Sequence, residues 1–428
     1  MINPNLLRQI LLDNRELVES KTIFPREIQI DSFPRCVLVG VRRCGKSYLL
    51  YQKIQQLLAQ GKTWDEMLYL NFEDERLLGF DVSDFNQILS VHAELSGRRA
   101  LPILFLDEIQ LIDGWEKFAR RMADAGAQIY ITGSNAKMLS VDVAAALGGR
   151  FFTINVYPMN FSEFLNTKNV KATPKDVLST VGGALIRREF DSFFRYGGFP
   201  ECLNLDNKLE YLNILFQKIY LGDIAVRNKV SNVFPLRILL KKIAESIGQS
   251  VSYSRLTNIV TSCGVKIAKN TCINYVQYTI DSCLIFSVKN IVGKLQDREG
   301  KQKFFFVDNG IVELLNTDPT ADQLENLVAI ELRRRYGDDD AVFFYQRDVE
   351  VDFYVPKTQV AIQVCVRLDL DPKTMRRELS AFEKMSKELP ITRRIVITLD
   401  EEKTIETDTD LIEIIPIWKW LLMCDRVL

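Results

Sequence analysis

Gly40-Val41-Arg42-Arg43-Cys44-Gly45-Lys46-Ser47 decides how the chain is read. It fits the spacing G-x-x-x-x-G-K-[ST], in which a glycine-rich turn points several backbone N–H groups into one anion-binding concavity. The flanks have the pattern this turn needs. Cys36-Val37-Leu38-Val39 is a short apolar run suited to a buried strand. After Ser47, the residues Leu50, Ile54, Leu57 and Leu58 recur at helical spacing. Strand, turn and helix N-terminus together make a phosphate cradle. Lys46 is the residue to reach the β- and γ-phosphates, and Ser47 the one to hold Mg²⁺. The segment Gly40–Ser47, with Tyr48 after it, is the candidate ATP-binding stretch.

The whole chain narrows the possibilities. Its 428 residues call for more than one domain, and 47% hydrophobic content supports several cores. Charged residues make up 26% and the net charge is −1, so any nucleic-acid surface must be local. His92 is the single histidine, which removes His-rich metal sites and disfavours a His-based triad. Cysteines stand at 36, 44, 202, 263, 272, 283, 365 and 424 with no C-x₂-C pair. That scatter reads as reduced thiols in a cytoplasmic protein. No signal peptide and no membrane-spanning run are expected.

Outward from the loop, strands and helices alternate. Residues 4–19 have helical periodicity, and Ile28 and Ile30 suggest a short strand. Strands are expected at Met67–Phe72, Pro102–Leu106, Gln128–Thr132 and Phe151–Val156. Between them lie helices at 84–95, around Trp115, Phe118 and Met122, and around Leu139, Val143 and Leu147. This is an α/β pattern with a parallel sheet, and its ligand belongs at the strand C-terminal ends. Three candidate groups fall there. Asp107 follows an apolar strand and fits the acid that holds Mg²⁺, and Glu108 beside it can polarise an attacking water. Ser134 and Asn135 follow the fourth strand, either as sensors of the γ-phosphate or as an ordinary Gly-Ser-Asn turn. Arg150 follows Gly148-Gly149, either as a surface arginine or as one acting on phosphate across a subunit boundary in a homo-oligomer.

Beyond Phe161 the pattern is helical and irregular, with a turn at Tyr196–Glu201, and suits a lid or linker. Residues 235–308 read as three helices and a hairpin, Leu284–Val288 with Lys303–Val307, which is a winged helix-turn-helix. Lys266, Lys269, Asn270, Asn274 and Gln277 are placed to face outward from its third helix. That face suits DNA, and equally a protein partner. The remainder shows a helix carrying Glu325 and Arg333-Arg334-Arg335, then strands at Val342–Tyr345, Glu350–Val355 and Val360–Val366. A helix around Phe382, strands at Arg394–Thr398 and Ile412–Ile415, and a closing helix with Trp418 and Trp420 follow.

Taken together these residues resemble a family of prokaryotic AAA-type P-loop ATPases. The resemblance rests on Val39–Ser47, Asn71–Asp74, Leu106–Gln110, Thr132–Asn135 and Gly149-Arg150. Gly197–Glu201, Val307–Gly310, Glu350–Phe353 and Ile362–Cys365 extend it. It implies an ASCE/AAA-like sheet with the sensor strand between the strand that leads into the Gly40–Ser47 loop and the strand that ends at Asp107. It also implies a winged helix and a last α/β domain similar to PD-(D/E)XK nucleases. The expected division is 1–160 for the ATPase core, 161–232 for a lid, 233–310 for the winged helix and 311–428 for the nuclease-like domain. Glu325, Asp352 and Gln363 fall where that fold's metal-site residues would be, but Cys365 stands in place of the lysine. A neutral thiol supplies no cation for water activation, so a degenerate nuclease site is expected. The function implied is an ATP- and Mg²⁺-dependent switch coupled to DNA or to a protein partner. The alternatives are a nucleotide-gated module without hydrolysis, against which Glu108 speaks, and an ATP-regulated nuclease, against which Cys365 speaks.

Overall fold

The strand before the phosphate loop is apolar because both of its faces are covered. Arg35–Val39 (β1) is buried from Cys36 onward and pairs in parallel on each side. In the computed structural model it belongs to one of two compact units: Met1–Tyr157 with Asp281–Cys283, and Pro158–Ile280 with Leu284–Leu428. The structure describes all residues except 1, 31, 136, 137, 139, 140, 338, 339, 370, 371, 407–410 and 424–428. It also leaves undescribed the side chains of 141, 142, 144, 297 and 372–374.

The first unit opens with α1 (Pro4–Ser20), β1, α2 (Lys46–Ala59), β2 (Met67–Asn71) and α3 (Phe85–Ser96). It continues with β3 (Ile103–Asp107), α4 (Trp115–Asp124), β4 (Ile129–Gly133), α5 (Val141–Leu147) and β5 (Phe152–Asn155). The sheet order is β2-β3-β4-β1-β5, all parallel. β4 therefore lies between β1 and β3. Register brings Val39 beside Gly133 and Asn155, and Asn71 beside Asp107, so the C-terminal strand ends share one edge. Helices cover the sheet through apolar stripes. Trp115, Phe118, Ala119, Met122 and Ala123 are the buried face of α4, at helical spacing. Phe118 stacks on Phe85 of α3 at 4.2 Å. No strand forms at Ile28 and Ile30. Gln52 of α2 holds the Arg26 backbone at both its N–H and its carbonyl, replacing the partner a strand would need. Leu139 lies outside the described residues.

The second unit begins with α6 (Phe161–Thr167), α7 (Pro174–Leu178), α8 (Thr180–Tyr196), α9 (Lys208–Gln217) and a π-helix at Lys218–Val226. α10 (Phe234–Ala244), β6 (Val251–Ser252), α11 (Tyr253–Ser262) and α12 (Lys269–Asp281) come next. β7 (Ile285–Asn290) and β8 (Lys301–Phe306) form an antiparallel hairpin, with α13 (Leu295–Gly300) in the connection. After these come α14 (Asn309–Leu315), α15 (Thr320–Tyr336), β9 (Phe343–Gln346), β10 (Glu350–Val355), β11 (Val360–Val364) and α16 (Pro372–Ser386). β12 (Arg393–Thr398), β13 (Lys403–Glu406), β14 (Leu411–Pro416) and α17 (Ile417–Leu422) end it. β7 pairs with β9, so all nine strands make one sheet, β13-β14-β12-β11-β10-β9-β7-β8-β6. β13 escapes a reading by periodicity because it is an exposed, polar edge strand.

Two stretches singled out in the sequence meet inside this unit. Asp308 accepts hydrogen bonds from the Gly198 and Gly310 N–H groups, each 2.8 Å, and the Gly198 carbonyl accepts from Met159 N–H at 2.8 Å. The Gly197–Glu201 turn and the Val307–Gly310 segment thus serve as each other's packing partners. Among the described residues no helix is long and apolar enough to cross a membrane.

Candidate functional site

The phosphate loop is shaped by its two glycines. A Cβ on Gly40 would lie 2.0 Å from the Val156 carbonyl oxygen, so only glycine fits against the chain beyond β5. Gly45, at φ 104°, caps α2 in the left-handed region, and no side chain caps that helix. Its first N–H groups therefore face the loop's concavity, where an anion is favoured. Arg26, which the sequence reading missed, supports the loop. Its buried guanidinium donates to the carbonyls of Cys44 (3.0 Å) and Tyr157 (2.9 Å).

Lys46 is 4% exposed and folds back over its own loop. Its ammonium donates to the carbonyls of Gly40 (3.1 Å) and Val41 (3.2 Å) and lies 3.6 Å from Glu108 Oε1. Burial works to lower its pKa. The negative groups around it, Glu108 and Asp107 among them, outweigh burial and leave it above the usual lysine range.

The acids come from the end of β3. Asp107 is buried and accepts from Tyr69 Oη (2.8 Å), from Thr132 Oγ1 and from the Ser47 hydroxyl. Burial pushes its carboxyl up, and neighbouring Glu108 adds to the shift. Glu108 turns the chain into the left-handed region at φ 54°, with its N–H on Thr132 Oγ1 at 2.9 Å. That turn points the two adjacent carboxylates to different partners. Burial would raise Glu108, but Lys46 and the hydrogen bonds from Gln110 and Ser134 outweigh it and hold the carboxyl below the usual range. Ser134 and Asn135 are buried at the end of β4, and Gln110 also reaches Ser134 Oγ at 3.5 Å. Thus Lys46, Ser47, Asp107, Glu108 and Ser134 are linked in one network. Tyr69, Gln110 and Thr132 join it without having been given a role, although Gln110 and Thr132 lie in stretches that carry the resemblance.

Arg42 and Arg43 lie on the loop's rim, with Arg42 paired to Glu73 at 2.9 Å. Tyr48 is exposed and packs beside Tyr51. Arg150 is not brought into the network. Its guanidinium pairs with Asp124 at 2.6 Å and donates to Gly148 O at 3.1 Å.

In the second unit Glu325 (α15) and Asp352 (β10) do converge, and Glu350 joins them, but a lysine sits at the centre. Lys303 of β8 lies 3.1 Å from Glu325 Oε1, 3.2 Å from Asp352 Oδ1 and 2.8 Å from Glu350 Oε1. The carboxylates therefore have a cation among them, although none stands at position 365. The cation comes from the hairpin, a strand no spacing around Cys365 could reveal. Burial pushes Glu325 up, against the pull of this ammonium. Gln363 is not free to bind a metal. Its Oε1 accepts from Asp352 N–H (2.9 Å) and its Nε2 donates to Glu350 O (3.0 Å), bracing β10 to β11. Cys365 follows β11, and burial pushes its thiol up to about 12. The Arg333–Arg335 run is spent within this unit. Arg333 stacks over Phe286, Arg334 donates to Pro158 O at 2.7 Å, and Arg335 pairs with Glu331 at 2.8 Å.

Residues 32–165 match the family described as an AAA domain, and residues 187–321 match a domain of unknown function, DUF8612. The chain is 33% identical over 438 residues to the uncharacterized protein MJ1544 of Methanocaldococcus jannaschii, covering 99% of this chain and 96% of that one. An uncharacterized protein of Haemophilus influenzae is 33% identical over 396 residues, 90% of this chain and 94% of its own length. Among solved structures, the chain is similar to the Walker-type ATPase PABY2304 of Pyrococcus abyssi, at 15% identity and a TM-score of 0.39, covering 71% of this chain and 94% of that one. It is also similar to the Aeropyrum pernix ORC1 protein in complex with DNA, at 14% and 0.30, covering 75% and 93%. At such scores neither likeness bears on what this chain does. The phosphate-loop strand order, the AAA match and the full-length relative agree: the chain belongs to the family of MJ1544, with an AAA domain on a P-loop α/β sheet.

Proposed function

We propose that the first unit binds ATP with Mg²⁺ and hydrolyses it, and that the protein is a switch whose second unit engages DNA or a protein partner. The observation that carries the nucleotide reading is the state of Lys46. Its ammonium rests on two loop carbonyls and one carboxylate at 3.6 Å, partners that phosphate oxygens can replace. Ser47 hydrogen-bonded to Asp107 offers a hydroxyl and a carboxylate oxygen side by side, a donor pair that suits Mg²⁺. When bound, Mg²⁺ supplies charge neutralisation between the phosphates. In this reading Glu108 is the general base that orients water, and it is restrained by Lys46 and Gln110 until phosphate draws Lys46 away. Ser134 and Asn135 sense the γ-phosphate through the same network, and Arg150 acts across a subunit boundary of a homo-oligomer.

The division into 1–160, 161–232, 233–310 and 311–428 is proposed with it. Residues 233–310 then form a winged helix, whose Lys266, Lys269, Asn270, Asn274 and Gln277 are all exposed. Residues 311–428 form a nuclease-like domain without nuclease activity.

The test is steady-state ATP turnover beside calorimetric ATP binding. Glu108→Gln is expected to bind ATP as wild type does and to turn over about 10²-fold or more slowly. Wild-type binding without turnover would establish the non-hydrolysing module instead. Cleavage of supercoiled DNA that vanishes in Asp352→Ala would overturn the inactive-nuclease reading.

A further inference from the structure

Lys303 is an unusual residue to find where it is. Its side chain is 0% exposed, in the middle of β8 just before Phe304-Phe305-Phe306. An isolated ammonium there would carry a heavy desolvation penalty. Carboxylates from two other elements, α15 and β10, offset that cost. Hydrogen bonds run to Glu325 and Asp352, and Glu350 adds a close ion contact at 2.8 Å. An ammonium so enclosed cannot reach a substrate, so it is not a displaced catalytic lysine.

What it resembles in position is a metal ion. Three carboxylate oxygens stand 2.8–3.2 Å from Nζ. Contraction by roughly 0.5 Å would bring them to Ca²⁺ distance. Glu350 keeps a side-chain exposure of 36%, so one of the three carboxylates still meets solvent, and it accepts from Gln346 Nε2 at 3.0 Å. Among the described residues no group of three or more His, Cys, Asp or Glu is placed to hold a metal ion as the protein stands.

We propose that Lys303 is the built-in cation of this carboxylate cluster and keeps divalent metal out of it. Without Lys303 the same three carboxylates form a divalent-ion site of the Ca²⁺ class, a hard cation held by oxygen donors. The inference stands on the second unit alone and does not depend on the nucleotide reading.

The experiment uses nucleotide-free, full-length protein, titrated with Ca²⁺ by calorimetry and melted in Ca²⁺ and in EDTA. Wild type is expected to melt at the same temperature in both. Lys303→Met is expected to take up one more Ca²⁺ per chain than wild type, and to regain in Ca²⁺ most of the melting temperature it loses in EDTA. Adding Asp352→Asn removes both effects. Equal uptake by wild type and Lys303→Met overturns the proposal, as does wild-type uptake that Asp352→Asn abolishes. If Lys303→Met does not fold in EDTA, folding in Ca²⁺ supports the proposal and failure in both media overturns it.

Discussion

Among the described residues Lys46 and Lys303 are buried beside carboxylates, one in each unit, and they are held in opposite ways. Lys46 is anchored by carbonyls of its own loop and by one carboxylate at 3.6 Å. Lys303 is gripped by three carboxylates at 2.8–3.2 Å from two other elements. A buried charge costs free energy unless partners offset it. The first arrangement offsets that cost loosely, with partners that can be exchanged for a stronger anion. The second offsets it firmly and leaves nothing to exchange. Burial alone therefore does not tell a functional lysine from a structural one; what its partners are free to do does.

The contrast is broken most directly by exchanging the defects. Lys303→Met should cost roughly 3–5 kcal/mol of stability in metal-free buffer, because three carboxylates lose their counter-ion, while ATP affinity is unchanged. Lys46→Ala should do the reverse. ATP binding by calorimetry disappears, and chemical denaturation shows a loss of no more than about 1 kcal/mol. If both variants lose stability equally, the two lysines are alike and the contrast fails.

Asp308→Ala gives the next largest effect. It strips the acceptor from two buried N–H groups, and a loss of about 2–4 kcal/mol is expected by denaturant titration. A surface-like loss under about 0.5 kcal/mol would mean that the two glycine-bearing segments hold together without it.

Arg26→Ala sharpens the loop's side of the comparison. Two loop and strand-end carbonyls lose their donor, so ATP affinity should fall several-fold while Glu108-dependent turnover at saturation persists. Unchanged affinity would show that the loop holds its shape unaided.

Arg150→Ala is expected to have the smallest effect on stability, within about 1 kcal/mol, since its partner Asp124 is solvent-exposed. Its informative readout is mixing. Arg150→Ala and Lys46→Ala proteins together should recover ATP turnover that neither has alone. No recovery, with wild-type activity strictly proportional to concentration, would place catalysis within one chain.

The same two regions explain what the sequence made legible. The phosphate loop lies in eight consecutive residues, and its acids end an apolar strand. Local pattern therefore located Lys46, Ser47, Asp107 and Glu108, and the structure brings them together. Thr132 and Tyr69 reach Asp107 through strand register, which a linear pattern does not display. In the second unit Glu325 and Asp352 were placed by resemblance, and they do meet. Lys303 was not seen because it comes from β8 and reads as the polar first residue of an apolar run. The local hint was a lysine running straight into Phe304-Phe305-Phe306. A strand covered on both faces leaves a lysine no route to water, so it asks for a buried anion. β13 and α13 were missed for the opposite reason, since both are too polar to carry a periodic signal.

The seam between β7 and β9 has a mechanical meaning. It runs through Lys289 beside Phe343 and Asn290 beside Phe344, with Ile291 N–H on Phe344 O at 2.9 Å. On one side lies the hairpin with β6, on the other the six strands from β9 to β13. Eight inter-strand spacings of ~4.8 Å make a plate roughly 38 Å wide. The hairpin is therefore tied to the plate twice, by backbone pairing at the β7–β9 seam and by Lys303 reaching from β8 to Glu350 and Asp352 of β10.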